Sequence, residues 1–360
     1  MSGKASVLVT GSGGVIGRNV VDHFVAQGYS VRGITRREPE EHEGWDHIAA
    51  DLLDKQSTLE AMGQAKDTTH LVFAAYIEKQ NPTELIQVNM DLLHNTLDAL
   101  EAVGAPLEHV TLYQGMKYYG ANLGRFKTPA LENDERLISP NFYYEQQELL
   151  QRVASERGYH WTIFRPEGVQ GYAQGTPMNL LMALAAYVSI TSELGVPLRF
   201  PGSRTTYDQV FYQVTDAELL AEATEWAGTT KVAYDEAFNL TNGDVFRWSH
   251  LFAAIADHYG MKLEEPQEMK LAERMPTYQP LWNQMVGHHG LRHITWEQTV
   301  DWNFADMIWN SEWDNVSSTI KVRKAGFQGC HDTITRTLEL LDDLIERKII
   351  PPLGKSAPVL

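Results

Sequence analysis

Two adjacent tyrosines at the start of a predicted helix could do phenol chemistry. Tyr143 and Tyr144 follow Asn141, a residue type that caps helices. In many enzymes that transfer hydride, a tyrosine at such a position has a lysine four residues later. That lysine shares its helix face, and its ammonium lowers the pKa of the phenol. Here the corresponding positions hold Gln147 and Glu148. The chain therefore either lacks this chemistry or takes its lysine from another segment.

A candidate lysine follows the fifth predicted strand, residues 109–114. Lys117 comes shortly after this strand, and strand ends at the carboxyl edge of a parallel sheet border the ligand crevice. Gly115 stands where many reductases carry a serine, and it has no hydroxyl to offer. Lys117 is therefore predicted to reach the tyrosine helix from outside that helix. The alternative is an ordinary surface lysine, because lysines are mostly exposed.

A glycine-rich segment near the start of the chain is predicted to hold the pyrophosphate of a dinucleotide. It contains Thr10, Gly11, Ser12, Gly13, Gly14, Val15, Ile16 and Gly17. It follows the first predicted strand and opens a helix, which is the context that gives this pattern meaning. Glycine permits a tight turn and lets phosphate approach backbone N–H groups at the helix N-terminus. An ordinary glycine turn is the alternative.

The end of the second predicted strand indicates which dinucleotide is bound. It reads Thr35, Arg36 and Arg37, where a site for NAD would usually carry an acidic residue for the ribose hydroxyl. Paired arginines suit the 2′-phosphate of NADP through charge-assisted hydrogen bonds. We therefore expect NADPH as the cofactor. The alternative is a solvated arginine pair beside the acidic stretch 38–41.

Two further strand ends are expected beside the same cofactor. Asp51 and Leu52 close the third predicted strand, and Asp51 either meets the adenine edge or caps the next helix. Gln114 closes the fifth strand, just before Lys117. The carboxyl ends of parallel strands lie along one edge of the sheet, so these residues should approach the glycine turn.

The elements that must position these groups alternate between strand and helix. Strands are predicted at 6–10, 29–35, 47–52, 70–75, 109–114 and 161–165, with helices between them. Repeated βαβ units imply an α/β fold with a doubly wound parallel Rossmann sheet. We expect residues 1–170 to form the NADP-binding domain. A smaller, mostly helical substrate-binding region is expected over 171–360, with 207–245 partly returning to the sheet.

Composition excludes several classes of function. The 360 residues include 30 Lys and Arg against 47 Asp and Glu, and this net charge of −17 disfavours binding to nucleic acid. The longest apolar run, 180–190, is too short to span a bilayer and is predicted to be a buried helix or pocket wall. The N-terminus leaves no room for a signal peptide, and the single cysteine fits the cytoplasm. Neither a metal site nor a serine-hydrolase motif is predicted.

Several motifs together resemble those of one known family. They are the glycine segment 10–17, Thr35-Arg36-Arg37, Gly115-Met116-Lys117-Tyr118-Tyr119, Asn141-Phe142-Tyr143-Tyr144 with Glu148, Arg165-Pro166, Met178-Asn179-Leu180 and the segment 237–248. In these the chain resembles the progesterone 5β-reductase and iridoid synthase family, an atypical branch of the extended short-chain dehydrogenases. The similarity runs nearly end to end, and the tyrosine and lysine motifs are its specific parts.

The resemblance implies NADPH-dependent reduction of the C=C bond of α,β-unsaturated carbonyl compounds. The family's catalytic pair then falls on Lys117 and Tyr143, with Tyr144 as the alternative. The lysine is expected to lower the pKa of the tyrosine and to hold the nicotinamide ribose. The implied pocket residues are Tyr76, Met178, Asn179 and Phe304, with Trp302 as a second candidate for a lid. Tyr76 departs from the tryptophan of the plant members.

Two other functions remain open from the sequence. One is carbonyl reduction, with the same tyrosine as proton donor. The other is a non-catalytic Rossmann protein that senses NADP, which the missing lysine favours and Lys117 opposes. A homodimer could form through the predicted helices 82–103 and 141–156, whose apolar stripes could equally pack on the sheet.

Overall fold

A seven-stranded parallel sheet forms the centre of the molecule. The structure is a computed structural model that describes residues 5–37, 43–138, 140–173, 175–292 and 294–354. Its strands are β1 (Ser6–Thr10), β2 (Ser30–Thr35), β3 (Asp46–Ala49), β4 (His70–Phe73), β5 (His109–Tyr113), β6 (His160–Pro166), the short β7 (Val169–Gln170) and β8 (Thr215–Asp216), and β9 (Glu236–Leu240). The sheet order is β3-β2-β1-β4-β5-β6-β9, while β7 pairs with β8. Every pairing in the sheet is parallel, which confirms the predicted Rossmann fold.

Helices cover both faces of this sheet. The first seven helices in chain order are α1 (Val15–Ala26), α2 (Lys55–Gly63), α3 (Pro82–Ala102), α4 (Phe142–Arg157), α5 (Leu180–Glu193), α6 (Arg204–Asp208) and α7 (Ala217–Thr229). Of these, α5 and α6 pack in a separate helical core. The helices α2, α3 and α4 share one buried cluster with the sheet, and α1 and α7 share another. The strands are apolar on both sides because both faces are covered, as is usual in parallel sheets.

The apolar stripes of α3 and α4 are buried within the chain. Leu93, Leu97 and Leu100 of α3 join Leu149 and Val153 of α4 in the core beneath the sheet. The apolar stripes were predicted either to pair in a homodimer or to pack on the sheet, and in the structure they pack on the sheet. Pairing of the two helices in a homodimer stays a prediction.

The second half of the chain is mainly helical and has its own core. It contains α8 (Trp248–His258), α9 (Leu271–Arg274), α10 (Gln279–His289), α11 (Trp296–Thr299), α12 (Trp302–Trp309), α13 (Ile320–Lys324) and α14 (Thr333–Glu346). Trp248, Trp282 and Trp309 are fully buried in this core with α5. The apolar run 180–190 is thus a buried helix, as predicted. In contrast, α7 packs on the parallel sheet, and β9 is a strand at the edge of that sheet.

A helix must be both long and apolar to cross a membrane. Within the described ranges, none combines the length and apolar character needed to cross a bilayer.

Candidate functional site

A cavity of about 1220 Å³ runs along the carboxyl edge of the sheet. The carboxyl ends of several parallel strands line this cavity. Open α/β sheets bind their ligands at this edge. Most of the predicted site residues line it, namely Gly11, Gly13, Gly14, Val15, Ile16, Thr35, Arg36, Arg37, Asp51, Leu52, Tyr76, Gln114, Lys117, Tyr143, Met178 and Phe304. Residues predicted from separate segments are therefore brought to one site.

The glycine turn between β1 and α1 has the shape of a phosphate cradle. Gly11 has φ of +67°, and a Cβ there would lie 2.7 Å from the carbonyl oxygen of Ala74. A Cβ at Gly17 would lie 2.2 Å from the carbonyl oxygen of Gly11, so this glycine allows α1 to pack against the turn. Gly14 is the N-cap of α1 and leaves the helix N-terminus open to the cavity. The turn therefore fits the pyrophosphate of a dinucleotide.

Several of the predicted residues do not line the cavity. Thr10 is buried, and its hydroxyl accepts a hydrogen bond of 3.3 Å from the N–H of Ala75. Gly17 lies behind the turn. Asn179, expected in the substrate pocket, instead caps α5 by accepting from two backbone N–H groups. Tyr144 points away from the cavity. The resemblance implied a pocket role for Asn179 through the segment Met178-Asn179-Leu180, in which only Met178 lines the cavity together with the predicted residues.

The end of β2 presents positive charge to the cavity. Arg36 and Arg37 are exposed and line its mouth. Two hydrogen bonds of the Thr35 hydroxyl orient this turn. The hydroxyl donates to the carbonyl oxygen of Arg37, and it pairs with Nε2 of His47 at a distance of 2.7 Å. The acidic stretch 38–41, on which the alternative depended, lies outside the described residues. The arrangement suits a phosphate next to the cradle.

The alternative role of Asp51 as a helix cap is wrong. The N-cap of α2 is Asp54, whose carboxylate accepts from the N–H of Ser57. Asp51 instead accepts a 3.0 Å hydrogen bond from the N–H of Leu53 and lines the cavity with Leu52. Both remain at the position expected for an adenine edge.

The two tyrosines of α4 have separate environments. Tyr143 lines the cavity, and a Cβ at Gly115 would lie 3.3 Å from its hydroxyl oxygen. The tyrosine hydroxyl thus adjoins the space that a serine side chain would enter. Tyr144 is buried, donates to the carbonyl oxygen of Tyr118 at 2.7 Å and accepts from Leu137. Only Tyr143 can contact a ligand in the cavity.

The positions four residues after the tyrosines serve structural contacts. Gln147 accepts a 3.0 Å hydrogen bond from Nη2 of Arg165, which is 1% exposed. Glu148 forms an ion pair with Arg136. The other donors of Arg165 reach Gln114 and Tyr119, and Gln114 in turn donates to the carbonyl oxygen of Tyr143. A buried arginine therefore anchors the tyrosine helix to the end of β6.

Lys117 lies in a 3₁₀ helix, Met116–Tyr119, directly after β5. Its side chain is 34% exposed and lines the cavity, with Nζ 3.7 Å from Oε2 of Glu78. Its carbonyl oxygen accepts a 2.8 Å hydrogen bond from Nδ2 of Asn141, the N-cap of α4. This contact ties the lysine segment to the start of the tyrosine helix.

The electrostatics of the phenol differ from the sequence-based expectation. Burial raises the pKa of Tyr143, and the nearby carboxylates of Glu78 and Glu167 raise it further. Lys117, expected to lower that pKa, instead pairs with Glu78 and lowers the pKa of Glu167. Tyr143 is therefore a hydrogen-bond donor that keeps its proton.

Sequence reasoning missed a buried carboxyl at the cavity wall. Glu167 directly follows β6, and burial raises its pKa to about 7. Its Oε1 accepts hydrogen bonds from the hydroxyl of Tyr212 at 2.6 Å and from Nδ2 of Asn315 at 2.7 Å. All three side chains line the cavity. The only hint in the sequence was the position of Glu167 after a strand end.

Aromatic and apolar side chains form another part of the cavity wall. Tyr76 stacks on Phe142 with ring centroids 5.7 Å apart, and its hydroxyl donates to Glu78. Met178 and Phe304 line the wall, whereas Trp302 is buried in the helical core. The residues that the structure describes include no group of three or more side chains suited to a metal ion. The cavity thus offers a mixed polar and apolar surface for an organic ligand.

Comparison with known proteins gives full-length relatives. The chain is 30% identical to (S)-8-oxocitronellyl enol synthase of Nepeta cataria, over 97% of this chain and 94% of that protein. It is 29% identical to 3-oxo-Δ(4,5)-steroid 5β-reductase of Arabidopsis thaliana, with the same coverage of 97% and 94%. These relatives are named as a synthase and a reductase, which confirms the expectation of an oxidoreductase.

Solved structures share the fold at low identity. UDP-glucose 4-epimerase of Thermotoga maritima superposes with a TM-score of 0.68 at 15% identity, covering 95% of this chain and 99% of that one. A short-chain dehydrogenase/reductase superfamily protein of Agrobacterium tumefaciens gives 0.64 at 16% identity, covering 96% and 98%. The family model described as a PRISE-like Rossmann-fold domain matches residues 46–351. The chain belongs to this family, as its lysine and tyrosine motifs predicted.

Proposed function

We propose that the chain reduces the C=C bond of α,β-unsaturated carbonyl compounds with NADPH. The observation that carries this proposal is that Tyr143 and Lys117 line the same cavity as the glycine turn. Sites for one ligand usually measure about 300–1,000 Å³, so a cavity of about 1220 Å³ has room for a cofactor and a second small molecule. The Arabidopsis relative is named as a reductase of 3-oxo-Δ(4,5)-steroids, which are compounds of this chemical class.

The residues of the cradle fit a nicotinamide dinucleotide phosphate. The turn at Gly11 and the N-terminus of α1 would hold the pyrophosphate, and Arg36 and Arg37 would hold the 2′-phosphate. Asp51 and Leu52 would flank the adenine. When bound, NADPH supplies a hydride to the substrate. Everything else in the reaction depends on how the protein orients the substrate and stabilises charge.

Tyr143 would stabilise the charge that develops on the substrate. Addition of hydride at the β-carbon of an enone places negative charge on the carbonyl oxygen as an enolate. A phenol that donates a hydrogen bond to this oxygen stabilises the charge where it appears. The raised pKa of Tyr143 suits a donor that keeps its proton. Carbonyl reduction would instead require the tyrosine to give its proton to an alkoxide, which product analysis distinguishes from C=C reduction.

Lys117 would hold the nicotinamide ribose and add positive charge near the enolate. Its ion pair with Glu78 is long at 3.7 Å and partly exposed, so it is weak and easily exchanged for a ribose hydroxyl. The lysine segment is fixed to the tyrosine helix through Asn141. Both groups therefore keep their relative position while a ligand enters.

The decisive experiment measures NADPH oxidation with progesterone, 2-cyclohexen-1-one and 8-oxogeranial. Products are identified by mass spectrometry and NMR. A saturated carbonyl supports the proposal, whereas an allylic alcohol would assign carbonyl reduction instead. Tight NADPH binding without oxidation in the presence of any of the three compounds would contradict both enzymatic functions and favour a sensor of NADP.

A further inference from the structure

Glu167 is a buried acid in the active-site cavity with no role in the steps above. Its Oε1 already accepts hydrogen bonds from Tyr212 and Asn315. An acid proton on this carboxyl must therefore reside on Oε2. The two fixed donors also hold the carboxyl in one orientation, as required of a group that delivers a proton to one face of a substrate.

Glu167 lies close to the phenol that would hold the substrate oxygen. The position of a Cβ at Gly115 is 3.3 Å from the hydroxyl oxygen of Tyr143 and 3.7 Å from the carbonyl oxygen of Pro166. Pro166, the residue before Glu167, and the hydroxyl of Tyr143 therefore lie on either side of the Cβ position of Gly115. Glu167 also interacts electrostatically with both Tyr143 and Lys117. In an enone the α-carbon is bonded to the carbonyl carbon, and Glu167 lines the same cavity as the phenol that would hold the carbonyl oxygen.

We propose that Glu167 is the general acid that protonates the α-carbon of the enolate, so that the enzyme releases a saturated carbonyl compound made on one face. This inference rests on the proposed function and adds the identity of the proton donor. After hydride has added to the β-carbon, the enolate electron pair forms a Cα–H bond with the proton of Glu167 and the C=O bond is restored. Glu167 becomes a carboxylate and regains a proton from solvent.

The protonation state of Glu167 suits this role. Burial raises its pKa to about 7, while Tyr212, Asn315 and Lys117 act in the opposite direction. The charged and titratable groups that face it are Lys117 after β5, Tyr143 on α4 and Tyr212 before β8. Near neutral pH a large fraction is protonated, and the conjugate base forms without great cost.

The test uses 2-methyl-2-cyclohexen-1-one, because protonation of its α-carbon creates a stereocentre. Chiral gas chromatography of product sampled early gives the enantiomer ratio, and NADPH absorbance gives the rate of hydride transfer. Glu167→Gln keeps the shape and the two hydrogen bonds but has no acid proton. We expect the wild type to give one enantiomer in large excess. The variant should still oxidise NADPH and give a nearly one-to-one mixture, since its enolate is protonated by solvent.

Two further variants separate this role from a structural one. Glu78→Gln removes another carboxylate near Tyr143 and should keep the enantiomer excess. Tyr212→Phe removes a hydrogen bond that lowers the pKa of Glu167, so its excess should persist to higher pH than in the wild type. An infrared band of a protonated carboxyl, measured on cofactor-free protein near pH 7, should be present in the wild type and lost in Glu167→Gln.

The possible failures are distinguishable. A racemic product from the wild type, or an unchanged excess in Glu167→Gln, overturns the role of Glu167 and leaves enone reduction standing. If the wild type oxidises no NADPH with this probe or with the three compounds above, the proposed function and the inference fail together.

Discussion

The adjacent tyrosines of α4 permit a matched pair of substitutions, Tyr143→Phe and Tyr144→Phe. Each removes one hydroxyl from the same helix. Among the described residues none hydrogen-bonds to the hydroxyl of Tyr143, which faces the cavity. The hydroxyl of Tyr144 donates to Tyr118 and accepts from Leu137. The pair therefore separates a hydroxyl available to substrate from a hydroxyl that holds the protein together.

We expect Tyr143→Phe to lower kcat with little effect on stability, and Tyr144→Phe to lower stability with little effect on kcat. Loss of a donor to a developing oxyanion lowers kcat by about 10²–10³-fold, so Tyr143→Phe should lose turnover by this factor. Because no bond within the protein is lost, its free energy of unfolding should change by less than about 0.5 kcal/mol. Tyr144→Phe leaves a buried carbonyl without its donor and should lose about 1–3 kcal/mol of stability. Its kcat should stay close to that of the wild type.

The assays are NADPH oxidation with an enone and urea unfolding followed by tryptophan fluorescence. NADPH binding, measured by fluorescence titration, should be nearly the same in both variants and serves as the control for folding of the site. The reasoning is refuted if Tyr144→Phe abolishes turnover while Tyr143→Phe retains it, because the cavity would then face the wrong tyrosine.

Three other predictions follow from the same site and from the base of the sheet. Replacing Arg36 and Arg37 together by Ala should abolish the preference for NADPH over NADH in binding titrations, and an unchanged preference would exclude the phosphate site. Lys117→Ala should lower turnover steeply with NADPH binding largely kept, and should move the carboxyl titration of Glu167 to higher pH, since the ammonium lowers that pKa. Burial lowers the pKa of His109 from 6.5 to about 3, so unfolded chains bind a proton there that folded chains do not. Stability should therefore fall as the pH drops from 6.5 towards 3, by about 2 kcal/mol at pH 5 from this group. His109→Asn should flatten the urea-unfolding profile by that amount, and an equally steep profile would contradict the assignment.

Short local patterns in the sequence predicted the order of strands and helices and the part of the site expected to hold the cofactor. The glycine turn, Arg36 and Arg37 each lie on one short segment whose neighbours reveal its role. Lys117 and Tyr143 lie on different segments, but parallel strands bring their ends to one edge, so their proximity follows from the topology. Buried apolar strands and amphipathic helices leave a strong periodic pattern, which is why the order of elements was predicted.

The carboxyl of Glu167 could not be predicted in the same way. Its partners Tyr212 and Asn315 are 45 and 148 residues away in the chain. No motif joins these three residues, and each is an ordinary residue type in its own segment. The direction of the pKa shift of Tyr143 also depends on burial and on two distant carboxylates. Contacts of this kind exist only once the tertiary fold has formed.

Short polar residues near helix starts were the least certain assignments. Asn179 and Asp51 are types that serve equally as caps, turn formers or ligand contacts. Asn179 is a cap, and Asp51 is not. Which role such a residue takes depends on whether the helix begins one residue or four residues later, and sequence patterns locate helix ends poorly.

The contact between Gln147 and the buried Arg165 constrains how this branch can evolve. A lysine at position 147 would recreate the usual tyrosine–lysine spacing, yet its ammonium would lie beside a guanidinium that is 1% exposed. Two like charges this close repel, and the buried guanidinium has little solvent to screen it. We therefore expect a lysine at position 147 to be disfavoured unless Arg165 changes as well. A lysine at position 117 and a lysine four residues after the tyrosine are therefore not connected by one favourable substitution.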